Sequence, residues 1–325
     1  MILKALRMEW NDDYLCSALM GKRQEKEFRE EKPPRKRQKT FPYGNYTQYY
    51  GYRTTGDDDP RLLAMDAAWF ADKSVLDIGC NSGRITRWIA STYKPWRIVG
   101  VDIDGRLIGN ARKSLQKFAA KLERAETPTG QEDTTKDQTP IEQNVENAHE
   151  AKLEQISANK ESHNTDASNT NSEKQTQSTT EAVYQPDRQF PNNISFKTAN
   201  FVSDDFVETQ KYDTILCLSV SKWIHLNWGD EGLMKLFRKV FDLLNPGGIF
   251  VLEPQPWESY RKKHKITETI RKTFHAIKLR PEQFEEVLLQ DVGFASCREL
   301  PIEYPEKFSK GFSKRPVFVL QKPTL

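Results

Sequence analysis

Between Ser74 and Asp104 the chain reads Ser-Val-Leu-Asp-Ile-Gly-Cys-Asn-Ser-Gly, then a helix-length stretch, then Ile98-Val-Gly-Val-Asp-Ile-Asp. This order predicts a buried strand, a glycine turn, a helix, and a second buried strand that ends in an acid. Gly79 lets the backbone turn tightly and come close to a ligand, and Gly83 opens the helix. Asp102 falls at the carboxyl end of the second strand, where a carboxylate can accept both hydroxyls of a ribose. A dinucleotide site carries G-x-G-x-x-G so that a pyrophosphate can rest on the helix N-terminus. Here Asn81 and Arg84 take the second and third glycine positions, which disfavours pyrophosphate. The stretch therefore predicts an α/β fold with a nucleoside pocket.

The 325 residues leave room for one domain of about 200–250 residues plus tails. With 29% charged residues the whole chain is too polar to pack, so part of it is expected to be unstructured. Residues 1–40 are charged and irregular. Five of the eight residues from Lys32 to Lys39 are basic, behind Pro33-Pro34, which blocks a helix there. This basic tail reads either as a nuclear-import or RNA-affinity element or as a solvated end. Residues 123–188 are rich in Thr, Gln, Asn, Ser, Glu and Lys, too poor in apolar area to offset chain entropy, and are expected to be a disordered insertion. A long insertion costs the core little, because loop-closure entropy grows only logarithmically with length. The domain expected to pack is thus 41–325 around that insertion.

The net charge of +3 gives no global pull on nucleic acid, so any such attraction must come from local clusters. Cys16, Cys80, Cys217 and Cys297 form no C-x-x-C pair, and no metal is expected. Two of them fall in expected core strands, where buried, reduced thiols are common, which suits a reducing compartment. No apolar run reaches membrane-span length, and residues 1–10 lack the apolar region of a signal peptide, so no membrane partner is expected.

After the first two strands and a helix at 106–122, the rhythm predicts strands at 194–199 and 212–219, a helix at 230–244 and a strand at 248–253. Asn245-Pro-Gly-Gly248 separates those last two elements. Helices at 266–277 and 281–290 follow, and then a closing antiparallel pair at 296–300 and 316–321. Seven strands with helices on both faces make a doubly wound sheet, its crevice at the carboxyl ends of the strands.

Three clusters converge on that crevice. In Phe41-Pro-Tyr-Gly-Asn-Tyr-Thr-Gln-Tyr-Tyr-Gly-Tyr-Arg53, Tyr43, Tyr46, Tyr49 or Tyr50, and Arg53 recur at helical spacing. Such a face either clamps phosphate, through the Arg fork and phenol donors, or merely packs on the core. The second cluster, Cys217 to Asp230, lacks the (N/D)-P-P-(Y/F) tetrapeptide that grips an amine. Lys222, His225 and Asn227 suit an anionic oxygen acceptor instead, although a lone histidine is usually structural. The third, Leu252-Glu-Pro-Gln-Pro-Trp257 with the basic run Tyr260 to Lys265, either follows an RNA backbone or begins a solvated helix.

The (D/E)-x-G-x-x-x-G turn with its strand-end acid resembles motif I of class I S-adenosylmethionine (SAM) methyltransferases, a Rossmann-like fold. The three clusters together resemble the bicoid-interacting family of RNA 5′-phosphate methyltransferases, nearest the branch that caps 7SK small nuclear RNA. The resemblance spans 41–103 and 190 to about 322. It implies SAM contacts at Tyr50, Arg61, Gly79, Cys80, Asn81, Asp102, Ile103, Asn200, Phe201 and Leu218, with Phe201 in place of a common tyrosine. It implies phosphate and RNA contacts at Tyr46, Tyr49, Arg53 and Lys222, and a catalytic set of Tyr49, Arg53, Lys222 and His225. The activity it implies is O-methylation of the 5′ γ-phosphate of a small nuclear RNA, giving a monomethylphosphate cap that stabilises the RNA. The sister activity on 5′-monophosphate RNA (tRNA or small-RNA precursors) and a non-catalytic RNA scaffold stand as alternatives. The implied partners are a polymerase III transcript and La-related proteins, and the implied location is the nucleus, with the cytoplasm as alternative.

Overall fold

The computed structural model of the protein describes residues 40–46, 59–126, 189–305 and 315–324. The elements below belong to one compact unit, Pro42–Leu325. The basic tail to residue 39, the segment 47–58 and nearly all of the expected insertion lie outside the described residues.

The chain enters through a short helix α1 (Pro60–Ala64), capped by the Asp59 carboxylate, and continues into β1 (Ser74–Ile78) and α2 (Arg84–Thr92). Next come β2 (Arg97–Asp102) and α3 (Gly105–Glu126). The helix therefore runs four residues past the expected start of the insertion. After it come β3 (Ile194–Thr198), β4 (Tyr212–Leu218), α4 (Ser221–Leu243) and β5 (Leu244–Glu253). Two shorter helices, α5 (Trp257–Arg261) and α6 (Glu268–Ala276), precede a broken helical stretch at 281–292 that is 3₁₀, α and π in turn. β6 (Ser296–Glu299) and β7 (Phe318–Gln321) end the fold.

The strands form one seven-stranded sheet in the order β3-β2-β1-β4-β5-β7-β6. β1 pairs in parallel with β2 (Val75 beside Ile98) and with β4 (Val75 beside Thr214), whereas β7 runs antiparallel to both β5 and β6. The strand order reverses between β1 and β4, and in an open α/β sheet that switch point places the ligand crevice. Alternate residues build two cores. Leu76, Ile78, Val101, Ile215 and Phe250 face Leu233, Leu236 and Phe237 of α4. Val75, Ile98, Leu216 and Val251 face Ile85 and Ile89 of α2 and Ile108 and Ala111 of α3. Helices on both faces of this mixed sheet make the class I methyltransferase fold.

Asn245-Pro-Gly-Gly248, expected as a break, falls at the start of β5, and two further corrections bear on the site. The helix expected from Asp230 begins nine residues earlier, at Ser221, because Trp223, Ile224 and Leu226 are core positions of a helix as well as parts of a loop-like motif. It continues through a kink at Gly229 (φ 67°, ψ −166°), a conformation open to a residue without Cβ. Residues 42–46 form a turn rather than the start of a helix, with Gly44 at φ +68°. A Cβ on Gly44 would lie 2.1 Å from the Trp223 ring, so helical spacing does not bring Tyr43 and Tyr46 onto one helix face.

Candidate active site

β1 delivers its chain end to the crevice through a strained turn. Gly79 sits at φ +72°, and a Cβ there would lie 2.2 Å from Val220 Cγ2. Its amide and that of Cys80 donate to the Val101 carbonyl at 2.7 and 3.1 Å, which ties the turn to β2. Asn81, the residue that breaks the dinucleotide pattern, also has a positive φ of 54°, a region that asparagine tolerates better than most residues. Its amide donates to Asp102 Oδ2 at 2.9 Å, its Oδ1 accepts from the Ser82 amide at 2.8 Å, and its Nδ2 donates to the Tyr46 carbonyl at 3.2 Å. Asn81 thus fastens the glycine turn both to the acid and to the segment ahead of the sheet.

Asp102 is 9% exposed. Burial raises its pKa, and hydrogen bonds from the Asp104 and Asn81 amides oppose that rise. Oδ1 accepts the Asp104 amide at 2.8 Å, so each oxygen holds one backbone donor and keeps capacity for another. Beside it, Asn45 donates through Nδ2 to Asp104 Oδ2 at 2.6 Å, while the Asn45 Oδ1 is a buried acceptor without a partner. Both carboxylate oxygens with capacity for hydroxyl donors, together with that vacant buried acceptor, fit a ribose-bearing group such as SAM.

The pocket at this point is lined by Tyr43, Gly44, Asn45, Ile78, Gly79, Asn81, Val101, Asp102, Ile103, Ala199, Asn200, Phe201, Leu218, Ser219, Val220, Trp223, Ile224 and Trp228. Seven of the residues expected to touch SAM are brought together there: Gly79, Asn81, Asp102, Ile103, Asn200, Phe201 and Leu218. Tyr50 lies outside the described residues, as do Tyr49 and Arg53. Cys80 is not among the lining residues; it is 3% exposed and its thiol points to the Asn81 carbonyl at 3.8 Å.

Arg61 is likewise absent from the lining. It is 1% exposed and forks onto Asp59 through Nε (3.0 Å) and a second nitrogen (2.6 Å), while its remaining nitrogen pairs with Glu253. Glu253, 0% exposed, also accepts from Ser219 Oγ at 3.0 Å and from Arg315 at 3.1 Å. Two guanidinium groups and two carboxylates therefore clamp the ends of β4 and β5 beneath the pocket. The links of Glu253 to Arg61, Ser219 and Arg315 span 192, 34 and 62 residues and left no local signal; only Asp59, two residues from Arg61, is a local partner.

On the acceptor side, His225 stands apart from the pocket lining. It is 0% exposed, with Nε2 2.7 Å from Asp230 Oδ1 and Nδ1 3.3 Å from the Tyr260 hydroxyl, and it does not line the pocket. Burial lowers its pKa against the opposing pull of Asp230. Burial alone would raise the pKa of Asp230, but hydrogen bonds from His225 and the Lys278 amide bring it below the ordinary range. This pair ties the kink of α4 to the end of α6.

Lys222 is 5% exposed and does not line the pocket either. Its Nζ donates to Ser259 Oγ at 2.8 Å and lies 4.5 Å from the centre of the Trp223 ring, while its amide donates to Gln255 Oε1 at 3.2 Å. Gln255, held between two prolines, also donates to the Ser219 carbonyl, so the exits of β4 and β5 are joined through its amide. Tyr46 sets its ring edge on Trp223 at 6.2 Å and carries Lys263 Nζ 5.4 Å from its ring centre. Tyr43 stacks on Trp228 at 5.9 Å, and Asn227 donates to the Pro42 carbonyl at 3.0 Å. Residues 42–46 are thereby held against the first turns of α4. Trp223, Trp228 and Asn45 were missed as pocket residues, although their motifs had been singled out.

Residues 212–322 match the Bicoid-interacting protein 3 family profile, and residues 75–138 match that of a methyltransferase domain. The chain is 42% identical over 294 residues to the human 7SK snRNA methylphosphate capping enzyme, which covers 89% of this chain and 40% of that protein. It is 38% identical over 290 residues to a probable RNA methyltransferase of Arabidopsis thaliana, covering 89% of this chain and 83% of the relative. To the U6 snRNA methylphosphate capping enzyme Amus of Drosophila melanogaster it is 34% identical over 300 residues, covering 90% and 78%. The chain thus spans less than half of its human relative and most of the plant and insect ones.

Proposed function

The chain belongs to the bicoid-interacting protein 3 family of SAM-dependent methyltransferases, and from that premise we propose that it methylates a terminal oxygen of an RNA 5′ phosphate. The observation that carries this reading is the chemistry absent from the pocket wall. Among the described lining residues Asp102 is the only Asp, Glu, His, Lys, Arg or Cys, and both of its oxygens already serve backbone amides. A neutral hydroxyl acceptor would have to lose a proton to a base, and the described wall offers none. A phosphate oxygen is already ionised at neutral pH, with a second pKa of about 6.

SAM, when bound, supplies an activated methyl group. The chain's task is to place and to shield. Asp102, Asn200, Phe201 and Leu218 would hold the nucleoside end, and Trp223, Trp228 and Tyr43 complete the lining. Alignment of this kind can account for roughly 7–11 kcal/mol of barrier. Tyr46 leads directly into Tyr49 and Arg53, which we assign to the phosphate on the family resemblance. Lys222 stands behind Trp223 as a positioning cation. Arg53→Ala should abolish transfer while SAM binding survives.

The substrate we favour is the γ-phosphate of a small nuclear RNA, the product being a monomethylphosphate cap that stabilises it. The supporting relatives are named for 7SK and U6 snRNA. Nuclear location belongs to the same proposal, supported by the Lys32 to Lys39 cluster, and La-related partners rest on the family resemblance alone. Transfer of labelled methyl to 5′-triphosphate, 5′-monophosphate and dephosphorylated transcripts tests it. The triphosphate RNA should be labelled most strongly. Preference for monophosphate RNA would move the chain to the sister activity, and no label on any phosphorylated RNA would leave only the scaffold.

A further inference from the structure

One face of α3 is covered by like charges. At about 100° per residue, Arg106, Lys113, Lys117, Lys121 and Arg124 fall within about 80° of one another around the helix. All five are exposed, Arg106 also pairing with Asp104 at 2.9 Å, and the two acids of the helix, Glu123 and Glu126, fall outside that arc. The opposite face carries Leu107, Ile108 and Ala111, all buried, so the basic stripe points away from the sheet. Lys113, Lys117 and Lys121 succeed one another at i, i+4, where like charges repel. Surface helices ordinarily intersperse the two signs. A stripe of one sign costs the isolated helix stability and suits a polyanion laid along it.

Its position names the polyanion. α3 begins at Asp104, whose carboxylate holds Asn45 of the pocket wall, and Asp102 and Ile103 of the same loop line the pocket. From Arg106 to Arg124 the helix carries the stripe about 27 Å away from that mouth, at 1.5 Å per residue. We propose that this face of α3 is a docking track for the RNA backbone downstream of the 5′ end, outside the catalytic pocket. The inference rests on the RNA reading above and deepens it: the pocket takes the 5′ phosphate, and the track holds the body of the same strand through its phosphates, without regard to sequence. Because the chain's net charge is only +3, this local concentration, rather than the global field, would supply the salt-sensitive part of binding.

The test uses the full chain with Lys113→Gln, Lys117→Gln and Lys121→Gln combined, glutamine being a comparable helix former. RNA affinity is measured against salt with a long structured transcript, and methylation with both that transcript and a 5′-phosphorylated tetranucleotide too short to reach the track. The expected result is affinity for the long RNA roughly ten-fold weaker at physiological salt. The slope of log K against log salt should become shallower by about 2, from about 0.7 per lost phosphate contact on a single strand. Methylation of the tetranucleotide should stay unchanged. Unaltered affinity and slope would overturn the proposal, as would an equal loss of tetranucleotide methylation, which would mark a folding or pocket defect. Loss of binding to phosphatidylserine vesicles with RNA binding intact would overturn it in favour of a membrane surface. If the wild-type chain binds RNA but methylates neither substrate, the activity fails while the binding arm still decides the track.

Discussion

The Asp102 wall of the pocket comes largely from one continuous stretch, Ile78 to Ile103, whereas the Trp223 wall is assembled from residues 43–45 and 218–228, far apart in the chain. The first wall is held by short-range geometry: positive φ at Gly79, Asn81 and Gly83, and backbone donors on a carboxylate. The second is held by tertiary links, among them Asn227 to Pro42, Gln255 to Ser219 and the Arg61–Glu253 clamp beneath them. Local geometry can be encoded in a motif of ten residues. Tertiary links need the whole fold before any of them exists, so the two walls should fail in different ways.

The largest effect is expected beneath the second wall. Arg61→Met leaves Glu253, at 0% exposure, short of its counter-charge, and should cost about 3–5 kcal/mol of stability in denaturant titration. A loss below about 1 kcal/mol would show that Arg315 alone neutralises Glu253. On the first wall, Asp102→Ala should leave the fold standing but weaken SAM binding about a hundred-fold by calorimetry, through loss of two hydrogen bonds to a charged acceptor. If that variant bound SAM normally, the ribose assignment would be wrong.

A smaller effect tests whether the glycine turn is demanded by conformation or by space. Gly79→Ala forces an L-residue into left-handed geometry, about 1–2 kcal/mol, and also drives its Cβ into Val220. Adding Val220→Ala should restore only the steric part. Full rescue would mean that the positive φ carries no cost here.

The smallest effect is in pH dependence, where a buried group beside each wall opposes the other. His225 has a lowered folded pKa, so the unfolded chain binds the proton first. Its contribution is present above about 6.5 and is lost as pH falls below that value. Asp77, at the start of the first wall, is pushed by burial from 3.8 up to about 6, with the Thr86 hydroxyl opposing. Its folded state takes up the proton first, so acidification from about 6 towards 3.8 stabilises the fold through Asp77. Asp77→Asn keeps an oxygen for Thr86 and removes that compensation. Its melting temperature should fall more steeply than that of the wild type between pH 6 and 4. Parallel curves would contradict the opposition.

The same contrast explains what could be read from the chain. The strand-turn-helix-strand at 74–104, the sheet and the closing antiparallel pair were legible, because periodicity and glycine chemistry are local; of the seven pocket residues, Gly79 and Asp102 followed from that chemistry, whereas Asn81, Ile103, Asn200, Phe201 and Leu218 came from the family resemblance. His225 and Lys222 were read as site residues because their motif is polar, yet their side chains turn inward onto Asp230 and Ser259. Arg61 was placed with the cofactor on the family resemblance, but its guanidinium is engaged by the neighbouring Asp59 and the distant Glu253 and does not line the pocket. No pattern in sequence marks such pairings, since a spacing of 192 residues carries no period.

The central claim is that the acceptor oxygen arrives already ionised, so that no residue of the pocket has to remove a proton. The rate of methyl transfer to saturating 5′-triphosphate RNA, measured from pH 7 to 9, tests this directly. The account predicts a flat profile. A rate rising about ten-fold per pH unit across that range would show a proton being lost to solvent or to a base before transfer, and would contradict it.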